Sequence, residues 1–166
     1  MVISRLDYCN ALLVGLPACA VKPLQMVQNA AARLVFNQPK RSHVTSLFIN
    51  LHWLPVAARI QHKALTLAYK VTSGSAPTYL NVMLNAYIPS RGAMLRSSNT
   101  NRLAVPSPKT KRGHFKLFSV VVPQLWNNLP VPTRAATSLS TFKKLVKTLL
   151  FRDCLTKTNS TNHLFT

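Results

Sequence analysis

The stretch LHWLPVAARIQHKALTLAYKVTSGSAPTYL, residues 51–80, predicts a long amphipathic helix followed by the start of another. Pro55 suits the first turn of that helix, where the missing N–H of proline costs no hydrogen bond. Gly74 predicts the end of the helix, and the chain restarts as helix over residues 78–84 after Ser-Ala-Pro. Apolar residues recur at three- and four-residue steps, which places them on one face: Val56, Ile60, Ala64, Leu67 and Val71.

A second stripe of the same predicted helix carries positive charge. Arg59, Lys63 and Lys70 fall beside the apolar face, so the helix can bury one side and hold cations along its edge. Two interpretations fit this arrangement. The helix is either an ordinary core helix whose basic side chains reach water along their apolar stems, or one that presents its cations to a polyanion.

The rest of the N-terminal half also favours helices. Residues 4–14 are apolar enough for a short buried helix, and Pro23 predicts the start of a second helix that ends in a left-handed cap at Asn37. Residues 44–51 predict a short helix, and Trp53 is expected to be a packing anchor. The apolar residues expected to face inward are Leu24, Val27, Ala31, Leu34 and Val35 in the second helix, and Leu47, Phe48 and Leu51 in the short one.

Two more helices are predicted in the C-terminal half, one over residues 114–128 with a kink at Pro123, and one capped by Ser140. Their apolar faces contain Phe115, Phe118, Val122 and Trp126 in the first, and Phe142, Leu145, Val146 and Leu149 in the second. The predicted fold is mainly α, a small bundle of about five to six helices with a long basic loop and little or no sheet. It divides into a helical region (1–88), a basic loop or linker (89–113), a C-terminal helical region (114–153) and a disordered tail (154–166).

The composition is strongly basic. Among 166 residues there are 21 Lys and Arg but only two acids, Asp7 and Asp153, which gives a net charge of +19. Because so few internal salt bridges are possible, the positive charges must repel one another or meet an outside anion. Nucleic acid is the partner that this balance favours; an anionic membrane surface or an acidic protein is the alternative.

The loop over residues 89–113 has six basic residues and no acid, and its only strand-like piece is residues 103–105. Loops of this length without regular structure are uncommon in compact domains unless they are functional or disordered. The loop is therefore a candidate for contact with nucleic acid, with a disordered connector as the alternative.

Several kinds of chemistry are disfavoured by the same sequence. Two isolated aspartates cannot form the carboxylate cluster with which polymerases hold paired metal ions. The three cysteines lack CxxC spacing and the five histidines are scattered, so we expect reduced thiols, no metal site, no cofactor and no catalytic residue. No apolar run approaches the roughly 20 residues of a membrane span.

Several motifs together resemble a known family. RLDYCNALLVGLP (5–17), LQMVQNAAARLV (24–35), LHWLP, AYKVTSGSAPTYL and PQLWNNLPVPTRAATSLSTFKKLVKTLLF (123–151) are similar to the region after the catalytic palm in LINE-type (non-LTR) retrotransposon reverse transcriptases. The resemblance covers nearly the whole chain and implies a thumb-like C-terminal fragment of an RNA-directed DNA polymerase. The palm aspartates of that family have no counterpart here, so the resemblance implies binding without catalysis.

The resemblance also implies the partners, namely RNA, DNA or an RNA–DNA hybrid held through its phosphate backbone. A palm and fingers module on another chain is a further partner that the resemblance suggests. The odd number of cysteines, without CxxC spacing, is typical of reduced thiols, so we expect an intracellular location, nuclear or cytoplasmic, without secretion. Two alternatives stay open: a free-standing basic RNA- or DNA-binding adaptor, and a helical interaction protein that docks on an acidic partner or a membrane surface. Separated from a palm, the fragment is expected to expose apolar helix faces.

The residues expected to contact nucleic acid form five groups: a turn pair at 40–41, a stripe over 59–70, the basic residues of the loop, Lys116 alone, and a lysine group at 143–147. They are Lys40, Arg41, Arg59, Lys63, Lys70, Arg91, Arg96, Arg102, Lys109, Lys111, Arg112, Lys116, Lys143, Lys144 and Lys147.

Overall fold

The structure of the chain, a computed structural model, describes residues 2–87, 101–106 and 118–161, with side chains as far as residue 154. The elements are α1 (Val2–Asp7), a 3-10 helix (Asn10–Leu13), α2 (Ala18–Val35), α3 (Thr45–Leu51), α4 (Val56–Thr72), α5 (Thr78–Asn81), α6 (Phe118–Asn127), α7 (Val131–Arg134) and α8 (Leu139–Thr161). The prediction of a mainly helical fold is confirmed. Within the described residues, the strand-like pairing is one isolated antiparallel bridge between Ala86 and Leu103, which falls on the 103–105 piece.

Helix α4 lies at the centre of the molecule, where it contacts α8, α6, the 3-10 helix and α2. The predicted face is confirmed for Val56, Ile60 and Ala64, which are buried, whereas Leu67 and Val71 are only half-buried. Leu65 and Ala68 are buried as well, because neighbours cover α4 on more than one side. The apolar face is therefore wider than the sequence spacing alone indicates.

An aromatic cluster joins α4 to the C-terminal helices. The rings of Tyr69 and Phe142 stack with centroids 4.6 Å apart, and the Trp126 ring lies 5.6 Å from Phe142. The buried polar tips have partners: the Tyr69 hydroxyl donates to the Ala136 carbonyl at 2.9 Å, and Trp126 Nε1 donates to the Asn101 carbonyl at 2.6 Å. The helices on both sides of the predicted basic loop thus share one hydrophobic core.

Three helices end in the same way, with a residue in the left-handed region. Asn37 (φ 48°), His52 (φ 51°) and Gly74 (φ 70°) follow α2, α3 and α4. In each case the next N–H reaches back to a carbonyl five residues earlier, as the Ser75 N–H does to the Lys70 carbonyl at 2.9 Å. This pattern satisfies carbonyls that the helix end leaves open, and it confirms the predicted caps at Asn37 and Gly74.

The N-terminal segment differs from the single buried helix predicted over residues 4–14. It is divided into α1, which buries no residue, and the 3-10 helix, which buries Asn10 and Ala11. Cys9 lies between them in the left-handed conformation, with φ 52°, and this turn interrupts the helix. The part that enters the main core is Val14, just after the 3-10 helix.

The predictions for α2 were wrong in two respects. The helix begins at Ala18 rather than at Pro23, which lies inside it. Of the apolar stripe expected to face inward, Leu24 and Ala31 are half-buried, but Val27, Leu34 and Val35 are exposed, Leu34 by 84%.

The inward face of α2 is instead built around Gln28 and Ala32, which are fully buried. The Gln28 amide donates to the Leu54 carbonyl at 2.9 Å, and Gln25 Oε1 accepts from the Val56 N–H at 2.9 Å. Glutamine contacts to the open N-terminus of α4 therefore orient α2, and this turns part of its apolar stripe outward.

The last helix also starts differently from the prediction. Ser138, not Ser140, caps α8, because its hydroxyl accepts from the Thr141 N–H at 3.1 Å. Phe142 and Val146 are fully buried as predicted, whereas Leu145 is exposed. The α8 backbone continues as helix to Thr161, past residue 154, where the sequence predicts a tail.

Two further predictions concern α6 and α5. The apolar face of α6 is confirmed at Val122 and Trp126, and Phe118 is half-buried. Phe115 lies outside the described residues. α5 ends at Asn81, earlier than the predicted residue 84.

Candidate nucleic-acid interface

A polar cleft of about 320 Å³ lies between α4 and α8, and we call it the α4–α8 cleft. Its basic lining consists of Arg59 and Lys63 from α4, Lys143 and Lys147 from α8, and the imidazoles of His52 and His62. Asp7, at the end of α1, also lines it. The fold thus brings together basic residues that are about 80 positions apart in sequence, near one small concavity.

The helical repeat explains how these side chains reach the same cleft. Arg59 and Lys63 are four residues apart on α4, as are Lys143 and Lys147 on α8, so each pair lies on one face of its helix. Phe142 and Val146 precede the two lysines by one residue each, and both are fully buried. Burial of that neighbouring face fixes the rotation of α8 and directs the lysine face towards the edge of the contact with α4.

A hydrogen bond joins the two helices inside the cleft. His62 Nε2 lies 3.2 Å from the Lys143 carbonyl, and because a carbonyl only accepts, the nitrogen must donate. The His62 carbonyl in turn accepts from the Thr66 hydroxyl at 2.7 Å. The imidazole therefore holds α8 against α4 at the level of the basic residues.

Burial lowers the pKa of His62 below its model-peptide value of 6.5. The positive charges of Lys143, Lys147 and Arg59 lower this pKa further, while the hydrogen bond to the Lys143 carbonyl partly opposes the shift. His62 is consequently neutral at pH 7. It contributes a hydrogen bond to the cleft and no charge.

Asp7 neutralises one of the four cationic side chains. Its carboxylate accepts from Arg59 Nε at 2.7 Å and also from Arg59 Nη2, a two-point contact of guanidinium with carboxylate. The Asn10 amide donates to the same carboxylate at 3.3 Å. Lys63, Lys143 and Lys147 are exposed and make no salt bridge among the described residues, so three uncompensated charges remain in the cleft.

The other predicted contact residues are distributed differently. Lys40 and Arg41 are exposed in the turn between α2 and α3, Lys70 is half-buried two turns beyond Lys63, and Lys144 is exposed next to the cleft. None of these four lines the cleft. Arg102 is exposed and lies outside the cleft; burial lowers the pKa of Arg134, and the positive charge of Arg102 lowers it further. The remaining predicted residues, which lie outside the described parts of the chain, are Arg91, Arg96, Lys109, Lys111, Arg112 and Lys116.

Sequence reasoning missed several polar members of this region. Asp7, His52 and His62 line the cleft, although none of them was expected to contribute to the binding surface. His62 could have been found, since it lies three residues after Arg59 and one before Lys63 on the same helix. Asp7 could not, because only the tertiary fold brings the end of α1 to Arg59, near the start of α4.

A second concavity, of about 350 Å³, is mainly apolar and lies beside α2, α3 and α8. Phe48, Trp53 and Phe151 line it, and the Phe48 and Trp53 rings are 6.4 Å apart. Trp53 is half-buried and packs against the small cluster of Ala32, Leu47 and Phe48, as expected of a packing anchor. This concavity lacks the cations of the α4–α8 cleft.

The described part of the chain has no group of three or more His, Cys, Asp or Glu side chains that could hold a metal ion. No helix within it combines the length and apolar character needed to cross a membrane.

No protein-family model matches the chain, and no curated protein or solved structure is significantly similar to it. The likeness to LINE-type reverse transcriptases therefore depends on the order and content of the short motifs described above.

Proposed function

We propose that this chain is a non-catalytic helical module that binds the phosphate backbone of nucleic acid, in the manner of the region that follows the palm in LINE-type reverse transcriptases. The observation that carries the proposal is the α4–α8 cleft, where Lys63, Lys143 and Lys147 lie together without an acid to neutralise them. Ammonium groups of this kind bind phosphates as point charges and do not distinguish bases. Binding should therefore be tolerant of sequence and sensitive to salt.

The resemblance suggests a template–primer duplex as the ligand and another module as the site of chemistry. Of the two acids in the chain, Asp7 is already held by Arg59. A carboxylate engaged with a guanidinium is a poor ligand for the paired metal ions of a polymerase. The proposed role is thus to hold a nucleic acid on which a separate module acts.

The direct test is a fluorescence titration with a short RNA–DNA hybrid over a range of salt concentrations. Replacing Lys63, Lys143 and Lys147 by Gln removes three phosphate contacts, so the slope of log K against log salt should become shallower by about 2.7. The matched control replaces three exposed cations away from the cleft: Arg5, Lys22 and Arg152. An equal change of slope in both triple variants would contradict the assignment of binding to the cleft.

One observation favours the alternative of an interaction protein. The outer side of α2 exposes Met26, Val27, Leu34 and Val35, a larger apolar surface than single scattered residues give. A membrane-docking protein should bind anionic vesicles at least as tightly as it binds the hybrid. The same titration with such vesicles separates the two functions, and tighter vesicle binding would favour the alternative.

A further inference from the structure

Arg134, the last residue of α7, is buried without a counter-charge. Only 5% of its surface is exposed, and its Nε and Nη1 atoms are buried with no hydrogen-bond partner among the described residues. A guanidinium keeps its proton under all ordinary conditions. A buried cation with unsatisfied donors costs several kcal/mol unless something supplies acceptors.

The chain itself has almost no carboxylate to supply. Its sequence contains two acids: Asp7 is paired with Arg59, and Asp153 lies about 21 Å along α8 from the first residue of that helix. The segments that flank Arg102 in sequence, residues 88–100 and 107–117, contain no Asp or Glu. A side-chain carboxylate for Arg134 therefore has to come from outside the chain.

The segment that carries Arg102 is held against α6 by hydrogen bonds. The Asn101 carbonyl accepts from Trp126 Nε1, and Asn127 both accepts from the Leu103 N–H at 3.0 Å and donates to the Leu103 carbonyl at 2.8 Å. These contacts fix the short segment that carries Arg102 against α6. Arg102 is thereby fixed in a position from which its positive charge acts on Arg134.

The charge of Arg102 is close enough to affect Arg134. Burial lowers the pKa of Arg134 below its ordinary value, and the positive charge of Arg102 lowers it further. Arg102 is exposed and lines an open concavity of about 660 Å³ together with Tyr87 and Asn127. Two guanidinium groups, one buried and one reachable from solvent, thus share a neighbourhood without a compensating acid.

We propose that Arg134 and Arg102 form a second anion site, separate from the α4–α8 cleft, that binds one phosphate group. Planar guanidinium forks match the oxygens of phosphate and bind them through paired, charge-assisted hydrogen bonds. The burial of Arg134 favours a compact terminal or free phosphate over the middle of a polynucleotide backbone. The proposal does not depend on the function proposed for the cleft.

Thermal unfolding of the full chain in added inorganic phosphate, at constant ionic strength, tests the site. The Lys143→Gln/Lys147→Gln variant serves as the background, so that the cleft contributes little. In that background phosphate should raise the unfolding midpoint saturably, because it binds the native state. Arg102→Gln should weaken the fitted phosphate affinity about tenfold, since it removes a charge-assisted pair. An unchanged affinity would overturn the proposal.

Arg134→Met gives an independent measurement, because it replaces the cation by an apolar side chain of similar length. In phosphate-free buffer its midpoint should equal or exceed that of the background, and the phosphate response should be lost. A lower midpoint there would show that the guanidinium has partners within the chain and would refute the site. If this variant does not fold, Arg102→Gln, at an exposed position, still decides the matter.

The source of the phosphate is distinguished by competition in the same background. An oligonucleotide with a terminal 5′-phosphate should bind more tightly than its hydroxyl-ended counterpart, with the difference lost in Arg102→Gln, if the site takes nucleic-acid ends. If the two oligonucleotides bind equally while inorganic phosphate still stabilises the protein, the site takes a small free anion. Absence of any response to phosphate or to the terminal group would reject both forms of the proposal.

Discussion

At the scale of single residues, the α4–α8 cleft is distinguished by one acid among several cations. Asp7 holds Arg59 through a two-point contact, so one side chain that would otherwise face a phosphate is already compensated. The carboxylate thereby orients Arg59 and also competes with any anionic ligand for it. Asp7 is one of only two acids in the chain, so its charge has a large effect on the electrostatics of the cleft.

Replacing Asp7 by Asn should therefore strengthen binding to nucleic acid. The change frees one cation for phosphate contact, so the affinity for an RNA–DNA hybrid should rise and the salt slope should steepen by about 0.9. The native state should lose little stability, since a partly exposed ion pair contributes at most about 1 kcal/mol. Fluorescence titration and thermal unfolding measure the two effects.

The matched control for this substitution is Asp153→Asn, which changes the net charge equally but lies further along α8 than Lys147 and does not line the cleft. It should alter the salt slope much less. If both variants bind the hybrid equally well, overall charge and not the freed Arg59 explains the gain.

At the scale of secondary-structure elements, the site depends on how α4 and α8 are held together. Phe142 and Val146 bury one face of α8, and the imidazole of His62 ties the same helix to α4 through the Lys143 carbonyl. The apolar contacts supply most of the free energy, whereas the histidine fixes the alignment of the two basic faces. Because His62 is a titratable group, the stability of this contact should depend on pH.

The stability of the fold should fall as the pH drops below about 6.5, in part because of His62. Its pKa is lowered in the folded state, so the unfolded chain binds a proton first and is favoured as the pH falls through the unfolded value of 6.5. Above that pH both states are neutral and the contribution vanishes. Free energies of unfolding, measured from about pH 5 to 8 at constant ionic strength, should show this decrease.

His62→Gln should flatten the dependence, because the Gln amide can donate to the Lys143 carbonyl but does not titrate. The comparison variant is His52→Gln, which removes the other imidazole that lines the cleft. The His52 ring stacks on Phe151 with centroids 6.2 Å apart. If His62→Gln keeps the full acid dependence of the wild-type protein, then other groups produce it and the linkage assigned to His62 is wrong.

Local patterns also show which features of the fold could be predicted from the sequence. Gly74 and Asn37 mark helix ends because a left-handed residue is a local requirement, and the apolar face of α4 is found because neighbours do bury it. For α2, buried glutamines replace the apolar stripe, and hydropathy does not reveal hydrogen bonds to a distant helix end. The cap at Ser138 was missed because Ser140 is equally suitable by residue type.

At the scale of the whole molecule, the predicted basic helices are present, but their meeting in one cleft depends on the tertiary fold. Periodicity places Lys63 and Lys147 on the edges of two helices and cannot specify that those edges adjoin. Arg134 was not expected to matter, because its burial depends on tertiary packing, including that of α7 against α8. Charge composition indicated a polyanion, whereas the geometry indicates where it would lie.

The net charge of +19 should make the stability of the fold increase with sodium chloride. The Debye length, beyond which charges are largely screened from one another, is about 30 Å at 0.01 M salt but only about 8 Å at 0.15 M. At low salt nearly all the cations of a small domain therefore repel one another. Because 21 Lys and Arg face only two acids, screening removes far more repulsion than attraction. The thermal midpoint should rise between these two concentrations.

Chloride is the suitable salt for this measurement, because phosphate would also occupy the Arg134–Arg102 site. Two triple variants can be compared in this way: the cleft triple changes Lys63, Lys143 and Lys147, and the surface triple changes Arg5, Lys22 and Arg152. Each removes three charges, so both should raise the thermal midpoint at low salt. The cleft triple should raise it more, because its cations lie close together around one concavity and repel one another most strongly. Equal gains would mean that the charges are effectively dispersed, and a binding cleft of concentrated positive potential would then have no electrostatic basis.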